Sequence, residues 1–446
     1  MSNSSASPSA PRPLSLGVIF LTLYIDLIGF SIFFPLGPEL LKHYVAHESK
    51  TGFFSVLIAQ LESLAHAAQA GNTAVAALFA GALGSVYSLM QFVFSPIWGA
   101  RSDRVGRRPV LLLTIAGNAA SYLLLVFSGS FMLFFLSRIL SGIMGGNISV
   151  AIAAVSDVTT RENRAKGMGI VGVAFGLGFL TGPVIGGLTA HVTLLDRWPG
   201  LAAWGVHPFS VPALIAFGLC VVNLVWIAVR FRETLPAGNG GTAVTLRERN
   251  PIRALFTLPN PTIRRANVVG FLLVFSFSFF ETTISFFTAE KLGYDARQLT
   301  WVFVYLGVVS ILTQGLLVRR AVPALGEKRV AVAGIALIAI GFVFLGFAVG
   351  VARSAPLMFT ALGLSAIGSG CANVALSALV SLYASPAEQG KVTGIFRSLG
   401  FLARAASPVV AGFLFFRLGG TFTFVTAGAL LVIPFMLGLS LPQPRK

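Results

Sequence analysis

Long apolar runs, each closed by a short polar stretch, recur along the whole chain. About 20 consecutive apolar residues make a helix long enough to cross the hydrocarbon layer of a membrane. By this criterion the pattern predicts an all-α polytopic membrane protein with twelve transmembrane helices, here called spans 1 to 12. They cover approximately residues 15–36, 74–98, 109–129, 131–154, 167–190, 209–231, 266–289, 298–319, 328–350, 355–383, 391–416 and 420–441.

Spans 5 and 11 contain an internal repeat. The block Lys166-Gly-Met-Gly169-Ile170 recurs as Lys391-Val-Thr-Gly394-Ile395, and a Pro-Val pair follows each block at the same distance, beginning at Pro183 and at Pro408. Span 5 therefore corresponds to span 11, and the chain divides into two pseudo-symmetric six-helix bundles. Parallel six-span repeats around a central site are a transporter architecture.

The segments around the two bundles differ in composition from the spans. The predicted organisation is a disordered N-terminus at 1–13, an N-terminal bundle at 14–231, a cytoplasmic central loop at 232–265 and a C-terminal bundle at 266–446. Helical spacing of apolar residues predicts an amphipathic helix near 54–68, in the long loop after span 1. A short surface helix is predicted at 251–258, within the central loop.

Composition supports the membrane assignment. Apolar residues make up 55% of the chain and charged residues 11%, against about 25% charged residues in a soluble domain. The net charge of +17 lies in loops beside apolar spans, so we interpret it as a topology signal and a contact for anionic lipid, not for nucleic acid. The distribution of Lys and Arg predicts that both termini are cytoplasmic, and we expect the inner (plasma) membrane of a bacterium.

Candidate chemistry of other kinds is sparse. The two cysteines lie in separate apolar runs, and the five histidines lie outside the predicted spans. This arrangement predicts neither a disulfide framework nor a metal site. Since the sequence shows no nucleophile–base pairing or phosphate-binding loop, we expect a non-enzymatic, monomeric protein without a cofactor.

The loop between spans 2 and 3 carries the densest charge cluster. It reads Gly99-Ala-Arg-Ser-Asp103-Arg104-Val-Gly106-Arg107-Arg108 and is predicted to be a short aqueous turn between two membrane helices. The pattern G-x-x-x-D-R-x-G-R-R resembles the loop 2–3 signature of the major facilitator superfamily. The resemblance implies the fold of that superfamily and a gating role for this loop. It also implies that Asp103 meets the start of span 11 near Lys391, and that Arg107 meets Asp157.

Span 5 carries a second pattern, G-x8-G-x3-G-P-x2-G-G. Its members are Gly169, Gly178, Gly182, Pro183, Gly186 and Gly187. The pattern resembles the motif that marks drug/proton antiporters of the superfamily. The alternative interpretation is a small-residue face for close helix packing, with no bearing on transport direction.

Ionisable residues inside the spans are candidates for proton coupling. Asp26 lies near the middle of span 1, and Glu281 has a comparable depth in span 7, the counterpart of span 1 in the repeat. Arg138, in span 4, belongs to a segment that resembles the family motif whose arginine is linked to proton coupling. Intramembrane charges are functional by default, so we expect Asp26 and Glu281 to exchange protons, with Arg138 close to Asp26. The alternative is a set of fixed ion pairs that hold helices together.

The substrate is less well defined by the sequence. Candidate cavity residues are Phe30, Gln91, Asn147, Gln314, Asn373, Arg397 and Arg404. The many phenylalanines of spans 1 and 7 face either an apolar cavity or lipid. The two arginines of span 11 are seven residues apart, which places them on one face of the helix, where they bind an anionic substrate or snorkel to the helix end.

Span 1 and the stretch 85–99 together resemble the tetracycline-exporter branch of the superfamily and its eukaryotic relatives. This resemblance implies proton-coupled efflux of lipophilic or amphipathic organic compounds, such as drugs, by alternating access. The expected partners are therefore a small organic substrate, protons and membrane lipid. Two alternatives remain: a proton-coupled symporter or facilitator of a small organic anion, and a non-transporting membrane receptor on the same fold.

Overall fold

The computed structural model describes residues 14–47, 72–159, 164–234, 258, 260–384 and 389–443. Within these residues the chain forms helices and no strands, which confirms the all-α prediction. The disorder predicted for residues 1–13 and the helix expected near 54–68 lie outside the described residues. So does the helix expected at 251–258, apart from Leu258.

Spans 1 to 6 form the first bundle. Span 4 is divided at Gly145 and Gly146. Two further helical segments lie between spans: a helix that precedes span 2 and a 3-10 turn that precedes span 6. The helices in chain order are Leu14–Ser31, Gly37–His47, Asn72–Val105, Arg107–Val126, Phe131–Met144, Asn147–Val158, Arg164–Thr189, Pro199–Trp204 (3-10) and Ser210–Arg230.

Spans 7 to 12 form the second bundle. Their helices are Pro261–Leu292, Ala296–Leu312, Thr313–Val318 (a π-helix), Arg319–Leu325, Glu327–Gly350, Ala355–Tyr383, Gln389–Leu430 and Val432–Leu439. Gln389–Leu430 is two helices separated by a kink at Gly419, whose φ of 79° is not helical. Span 11 lies before this kink, and span 12 lies after it.

All twelve predicted spans have a helix. Eight helices of the described residues are long and apolar enough to cross a membrane, and one of them, Val392–Leu439, contains both span 11 and span 12. Spans 1, 2 and 5 complete the twelve. The predicted bounds are less accurate. Span 7 begins at Pro261 instead of 266, because the side chain of Asn260 accepts a hydrogen bond from the Thr262 amide and Pro261 favours the first helical turn.

The charged motif between spans 2 and 3 differs from its prediction. The segment Gly99–Arg108 is helical except at Gly106, so the expectation of a short loop was wrong. Gly106 has a φ of 100°, a conformation that residues with a Cβ rarely adopt. The chain therefore passes from span 2 to span 3 at a single residue. Apolar patterning ends at the membrane surface, whereas the helix continues beyond it.

Phenylalanine fills much of the second bundle. The fully buried rings include Phe279, Phe287, Phe342, Phe415 and Phe424. Phe287 stacks on Phe424 with a centroid distance of 5.2 Å, and Phe342 meets the same ring edge-on at 6.2 Å. Burial of such large apolar rings and their mutual contacts stabilises this bundle. These rings therefore face the protein core, an environment that the sequence analysis did not consider.

The glycine face of span 5 packs against span 1. A Cβ at Gly178 would lie 2.5 Å from the Cβ of Leu27. A Cβ at Gly182 or Gly186 would overlap Ser31 or the carbonyl oxygen of Ile32. Gly187 abuts Thr300, which belongs to span 8 of the other bundle. These glycines therefore serve close packing, both within the first bundle and between the two bundles.

We expect Gly186→Ala to lower the free energy of unfolding by about 1–3 kcal/mol, because the added methyl group overlaps backbone atoms of span 1. Gly176→Ala is the matched control in the same helix, since a Cβ there meets no atom within 4 Å. Thermal unfolding of both purified variants measures the difference. Equal melting temperatures would show that the face tolerates a Cβ and that its role is not close packing.

A polar cluster lies at the end of the first bundle opposite Gly99–Arg108. The Tyr44 hydroxyl donates to the carbonyl oxygen of Ser128 over 2.7 Å. The buried His207 ring contacts the Leu125 carbonyl oxygen through Nε2 at 3.1 Å, and its Nδ1 accepts from the Phe209 amide at 3.2 Å. The cluster attaches helix Gly37–His47 to spans 3 and 6.

Burial lowers the pKa of His207 from 6.5 to about 4, with a smaller contribution from His43, whose ring lies 5.9 Å away. Between these two pH values the unfolded chain binds more protons than the folded chain. We therefore expect the free energy of unfolding to be highest above pH 6.5 and to fall as the pH decreases towards 4. His207→Gln should flatten this slope in thermal unfolding, and the exposed His191→Gln should not. An unchanged slope in His207→Gln would exclude His207 as its source.

Candidate functional site

A cavity of about 240 Å³ lies between the two bundles. Spans 1 to 5 line it from the first bundle, and spans 7 and 11 line it from the second. Its wall contains four ionisable groups of opposite signs, Asp26 and Arg138 in the first bundle and Glu281 and Arg404 in the second. Eight aromatic residues also line it, with Phe30 stacked on Tyr87 at 5.1 Å. The site therefore combines an apolar body with a few charges.

Asp26 is held by a neutral partner. The Asn147 side-chain amide donates to Asp26 Oδ2 over 2.5 Å, which joins the middle of span 1 to the break in span 4. The second carboxylate oxygen, Oδ1, is buried and has no hydrogen-bond partner. No cation lies within ion-pair distance of Asp26 among the described residues. A carboxyl group in this setting can gain or lose a proton without breaking an ion pair.

Arg138 is surrounded by aromatic rings. Its guanidinium carbon lies 5.3 Å from the ring centre of Phe33, 5.7 Å from that of Tyr122 and 5.9 Å from that of Phe134. Nη2 is buried without a hydrogen-bond partner, and the described residues supply no carboxylate for this arginine. Cation–π contacts compensate part of the desolvation of the charge. The guanidinium keeps unused donors beside the cavity.

The second bundle contains an ion pair instead. Arg404 Nη1 donates to Glu281 Oε2, and the side chains are 31% and 14% exposed. Arg404 also lies over the ring of Phe179 in span 5, at 5.9 Å. Glu281 and Arg404 therefore neutralise each other within one bundle, and Arg404 touches the other bundle through an aromatic ring.

The predicted cavity residues separate into two groups. Phe30, Gln91, Asn147 and Arg404 line the cavity, and the Gln91 side chain donates to the carbonyl oxygen of Gly145 at the break in span 4. Gln314, Asn373 and Arg397 are not among the lining residues.

Gln314 lies in the π-helix of span 8, beside Gly370 of span 10. The Asn373 side chain donates to Ser369 in its own helix. Arg397 is partly buried on the first half of span 11, and its Nε has no partner. The common helix face expected for Arg397 and Arg404 does not carry both side chains to the cavity, because seven residues displace them by about 10 Å along the helix axis.

Several lining residues were not identified from the sequence, among them two of span 3. Asn118 and Tyr122 lie one turn apart on span 3, and both face the cavity. Asn118 is 5% exposed, and its Oδ1 has no hydrogen-bond partner. The available signal was a lone amide within an apolar run, which does not reveal the direction in which the side chain points.

The charged motif forms a compact network around Arg107. Arg107 Nη1 donates to Asp103 Oδ1 over 2.5 Å and to Ser102 Oγ over 2.6 Å, and Nε donates to Asp157 Oδ2 over 2.9 Å. The contact with Asp157 is the one expected from the sequence. Arg107 is only 6% exposed. Its guanidinium therefore holds the ends of spans 2, 3 and 4 together.

Other motif residues lie around this network. The Gly99 carbonyl oxygen accepts from Ser102 Oγ at 2.8 Å, and Arg104 is exposed. Arg108 Nη2 donates to the Ala228 carbonyl oxygen at the end of span 6 over 2.7 Å. The side chain of Lys391, expected near Asp103, lies outside the described residues.

Glu233 also belongs to the network around Arg107, although it was not identified from the sequence. Its carboxylate accepts from the backbone amides of Arg107 and Arg108 over 2.8 and 3.1 Å. These amides are the free donors at the start of span 3, where the helix dipole also favours an anion. An acidic residue directly after the basic end of span 6 was the only signal in the sequence. It connects the start of the central loop to the motif.

Two helical bundles of six spans around a central, partly charged cavity define a membrane transport protein. A sequence model described as Major Facilitator Superfamily matches residues 19–323 and 266–446. The chain belongs to this superfamily, which confirms the predicted family and fold. Its members are transporters, so the expectation of a non-enzymatic membrane protein is also confirmed.

Individual relatives refine the comparison. Major facilitator superfamily domain-containing protein 10 of Mus musculus is 32% identical over 470 residues, which cover 98% of this chain and 96% of the relative. The class B tetracycline resistance protein of Escherichia coli is 27% identical over 398 residues, covering 86% and 84%. The crystal structure of the human organic anion transporter MFSD10 (TETRAN) has a TM-score of 0.77 and 31% identity, and covers 97% of this chain and 100% of that one.

We expect Arg107→Lys to slow transport about tenfold while the protein still folds. Lysine keeps the charge, but a single ammonium group does not reproduce the two directed contacts with Asp103 and Asp157. Initial uptake rates in proteoliposomes measure the effect, and the exposed Arg101→Lys is the matched control. Equal rates for Arg107→Lys and the parent would contradict a gating role for this network.

Proposed function

We propose that this protein moves amphipathic organic anions across a membrane by alternating access, coupled to protons through Asp26. The observation that carries the proposal is the charge of the cavity wall. Arg404 is neutralised by Glu281, whereas Arg138 has no acidic partner among the described residues. A guanidinium with unused donors in a place of low dielectric favours a carboxylate, sulfonate or phosphate group of a substrate.

Aromatic rings around the cation suit an amphipathic compound. Phe33, Phe30 and Tyr87 line the same cavity as Arg138, so an anion bound to the guanidinium would place its apolar body against these rings. Sites of this kind are mostly apolar, with a few polar groups that fix the orientation of the ligand. The description of the similar human protein as an organic anion transporter supports the same substrate class.

The charge balance also suggests how protons are coupled. With Asp26 ionised, the two acidic and two basic groups of the cavity sum to zero. Protonation of Asp26 leaves a charge of +1, which a monoanion cancels. Proton and anion therefore each favour binding of the other, and by linkage the two bind together. This corresponds to co-transport, the alternative that the sequence analysis left open.

Proton-coupled efflux of drugs by antiport is the second candidate. It is supported by the span 5 pattern and by the 27% identity to a tetracycline resistance protein. In this mechanism a neutral or cationic substrate and a proton would compete for Asp26. The contacts of Gly182 and Gly186 with span 1 account for the pattern by packing alone, so we place this candidate second.

The proposal retains the orientation inferred from loop charge, with both termini and the charged motif in the cytoplasm. It also retains a monomer that contacts anionic lipid through its basic loops. Residence in the plasma membrane of a bacterium stays a prediction.

The decisive experiment uses proteoliposomes with an imposed pH gradient and two probes, phenylacetate and a lipophilic cation. We expect phenylacetate to accumulate in the direction of proton flow. Asp26→Asn should abolish the dependence on the gradient, because the amide cannot exchange a proton. Arg138→Gln should weaken phenylacetate binding by about tenfold or more, since a charged hydrogen bond is lost.

Arg397→Gln is the matched control, because this arginine does not line the cavity. An equal loss of binding in Arg397→Gln would move the anion site to the first half of span 11. Movement of the cation against proton flow, with none of phenylacetate, would overturn the anion proposal in favour of antiport.

A further inference from the structure

Unpartnered polar atoms converge on the cavity. Of the ten buried side-chain atoms without a hydrogen-bond partner in the described part of the chain, four belong to cavity residues. They are Arg138 Nη2, Asp26 Oδ1, Asn118 Oδ1 and Asn147 Oδ1. Buried polar groups are normally hydrogen-bonded, so such a cluster is a place where a ligand or ordered water completes the bonding.

The four atoms differ in what they require. Only Arg138 Nη2 is a donor, and it accounts for the anionic group of the proposed substrate. The other three are oxygens, which need a donor. The amide orientation of Asn147 is fixed, because its nitrogen already donates to Asp26 and its oxygen is therefore the atom left to accept. The proton of the proposed co-transport accounts for Asp26 Oδ1, so an anion without a donor would leave the two amide oxygens unsatisfied when it excludes water from the cavity.

Asn118 and Asn147 are built into the wall. They are 5% and 1% exposed, and they belong to spans 3 and 4, whose backbones are fixed by helical hydrogen bonds. Asn118 Oδ1 has no hydrogen-bond partner that would compete with a ligand, whereas the amide nitrogen of Asn147 is held by Asp26. Two rigid amides in an apolar wall are suited to specific recognition.

Span 3 relates the position of Asn118 to that of Arg138. Arg138 packs on the ring of Tyr122, and Asn118 lies four residues earlier on the same helix face. One turn of helix separates the Cα atoms of Asn118 and Tyr122 by about 6 Å along the axis. A ring with substituents at opposite positions spans a comparable distance, and Phe30 and Tyr87 supply surfaces for its faces.

We propose that the substrate is a hydroxylated aromatic anion, and that Asn118 is a specificity-determining residue that binds its hydroxyl group. This inference rests on the proposed function, because it assumes that Arg138 holds the anionic group. A hydroxyl group both donates and accepts, so it bonds to either end of the Asn118 amide. Asn147 Oδ1 offers a further acceptor to a second hydroxyl group.

The test is isothermal titration of the full-length protein with three ligands of one series. They are phenylacetate, 4-methylphenylacetate and 4-hydroxyphenylacetate. The methyl compound has the size of the hydroxyl compound but cannot form its hydrogen bond. We expect 4-hydroxyphenylacetate to bind about fivefold more tightly than the methyl compound, the ratio for one net hydrogen bond. A fourth compound, 2-hydroxyphenylacetate, has its hydroxyl group beside its carboxylate. It should bind no more tightly than phenylacetate.

Variants assign the preference to its residue. Asn118→Leu should reduce the ratio of the two affinities to about one, because leucine has a similar volume and no hydrogen-bonding group. Asn118→Ser, a smaller change, should reduce it partly. Asn267→Leu is the matched control, since Asn267 is also buried with an unpartnered Oδ1 but does not line the cavity. It should keep the fivefold ratio.

The outcomes separate this inference from the proposed function. Equal affinities of the parent protein for the hydroxyl and methyl compounds would overturn the inference and leave the anion site intact. A preference that survives in Asn118→Leu would overturn the role of Asn118. If no compound binds and Arg138→Gln changes nothing, the proposed function fails, and the inference fails with it.

Discussion

An ionised group in the interior of a membrane protein costs several kcal/mol unless another charge or a set of hydrogen bonds compensates for it. This constraint governs the centre of the molecule, where four ionisable side chains share one cavity. Glu281 and Arg404 meet it by pairing with each other. Arg138 meets it only in part, through aromatic rings, and Asp26 through a neutral amide. The energetic deficit of the first bundle is what a charged ligand and a proton can reduce.

The positions of these groups depend on how closely the helices approach. Gly182 and Gly186 let span 5 contact the backbone of span 1, so the helix that carries Asp26 is fixed on one side by direct packing. On its other side the Asn147 amide binds the carboxylate itself. Arg107 holds the ends of spans 2, 3 and 4 in the same bundle. Small residues, one amide and one guanidinium together make the wall of the cavity rigid enough for its charges to keep their places.

The sequence predicts the helices well because membrane thickness sets the length of an apolar run, and this length can be read without knowledge of packing. It also identifies Asp26, Arg138 and Glu281, since a charge inside such a run is conspicuous. Asn118 and Glu233 were missed for a physical reason. An amide in an apolar helix and an acid beside a basic loop acquire their meaning from neighbours that are distant in sequence. The ion pair of the cavity could not be predicted either: Glu281 pairs with Arg404, whereas the arginine expected beside a carboxylate was Arg138.

The internal repeat places Asp26 and Glu281 in corresponding spans, yet their surroundings differ. Glu281 forms an ion pair with a cation of its own bundle. Asp26 has an amide donor and a free oxygen, so a proton can be added there without loss of a salt bridge. A symmetric fold thus holds an asymmetric pair of carboxylates, one in an ion pair and one with an unpartnered oxygen. In line with this asymmetry, the four unpartnered polar atoms of the cavity residues all belong to the first bundle.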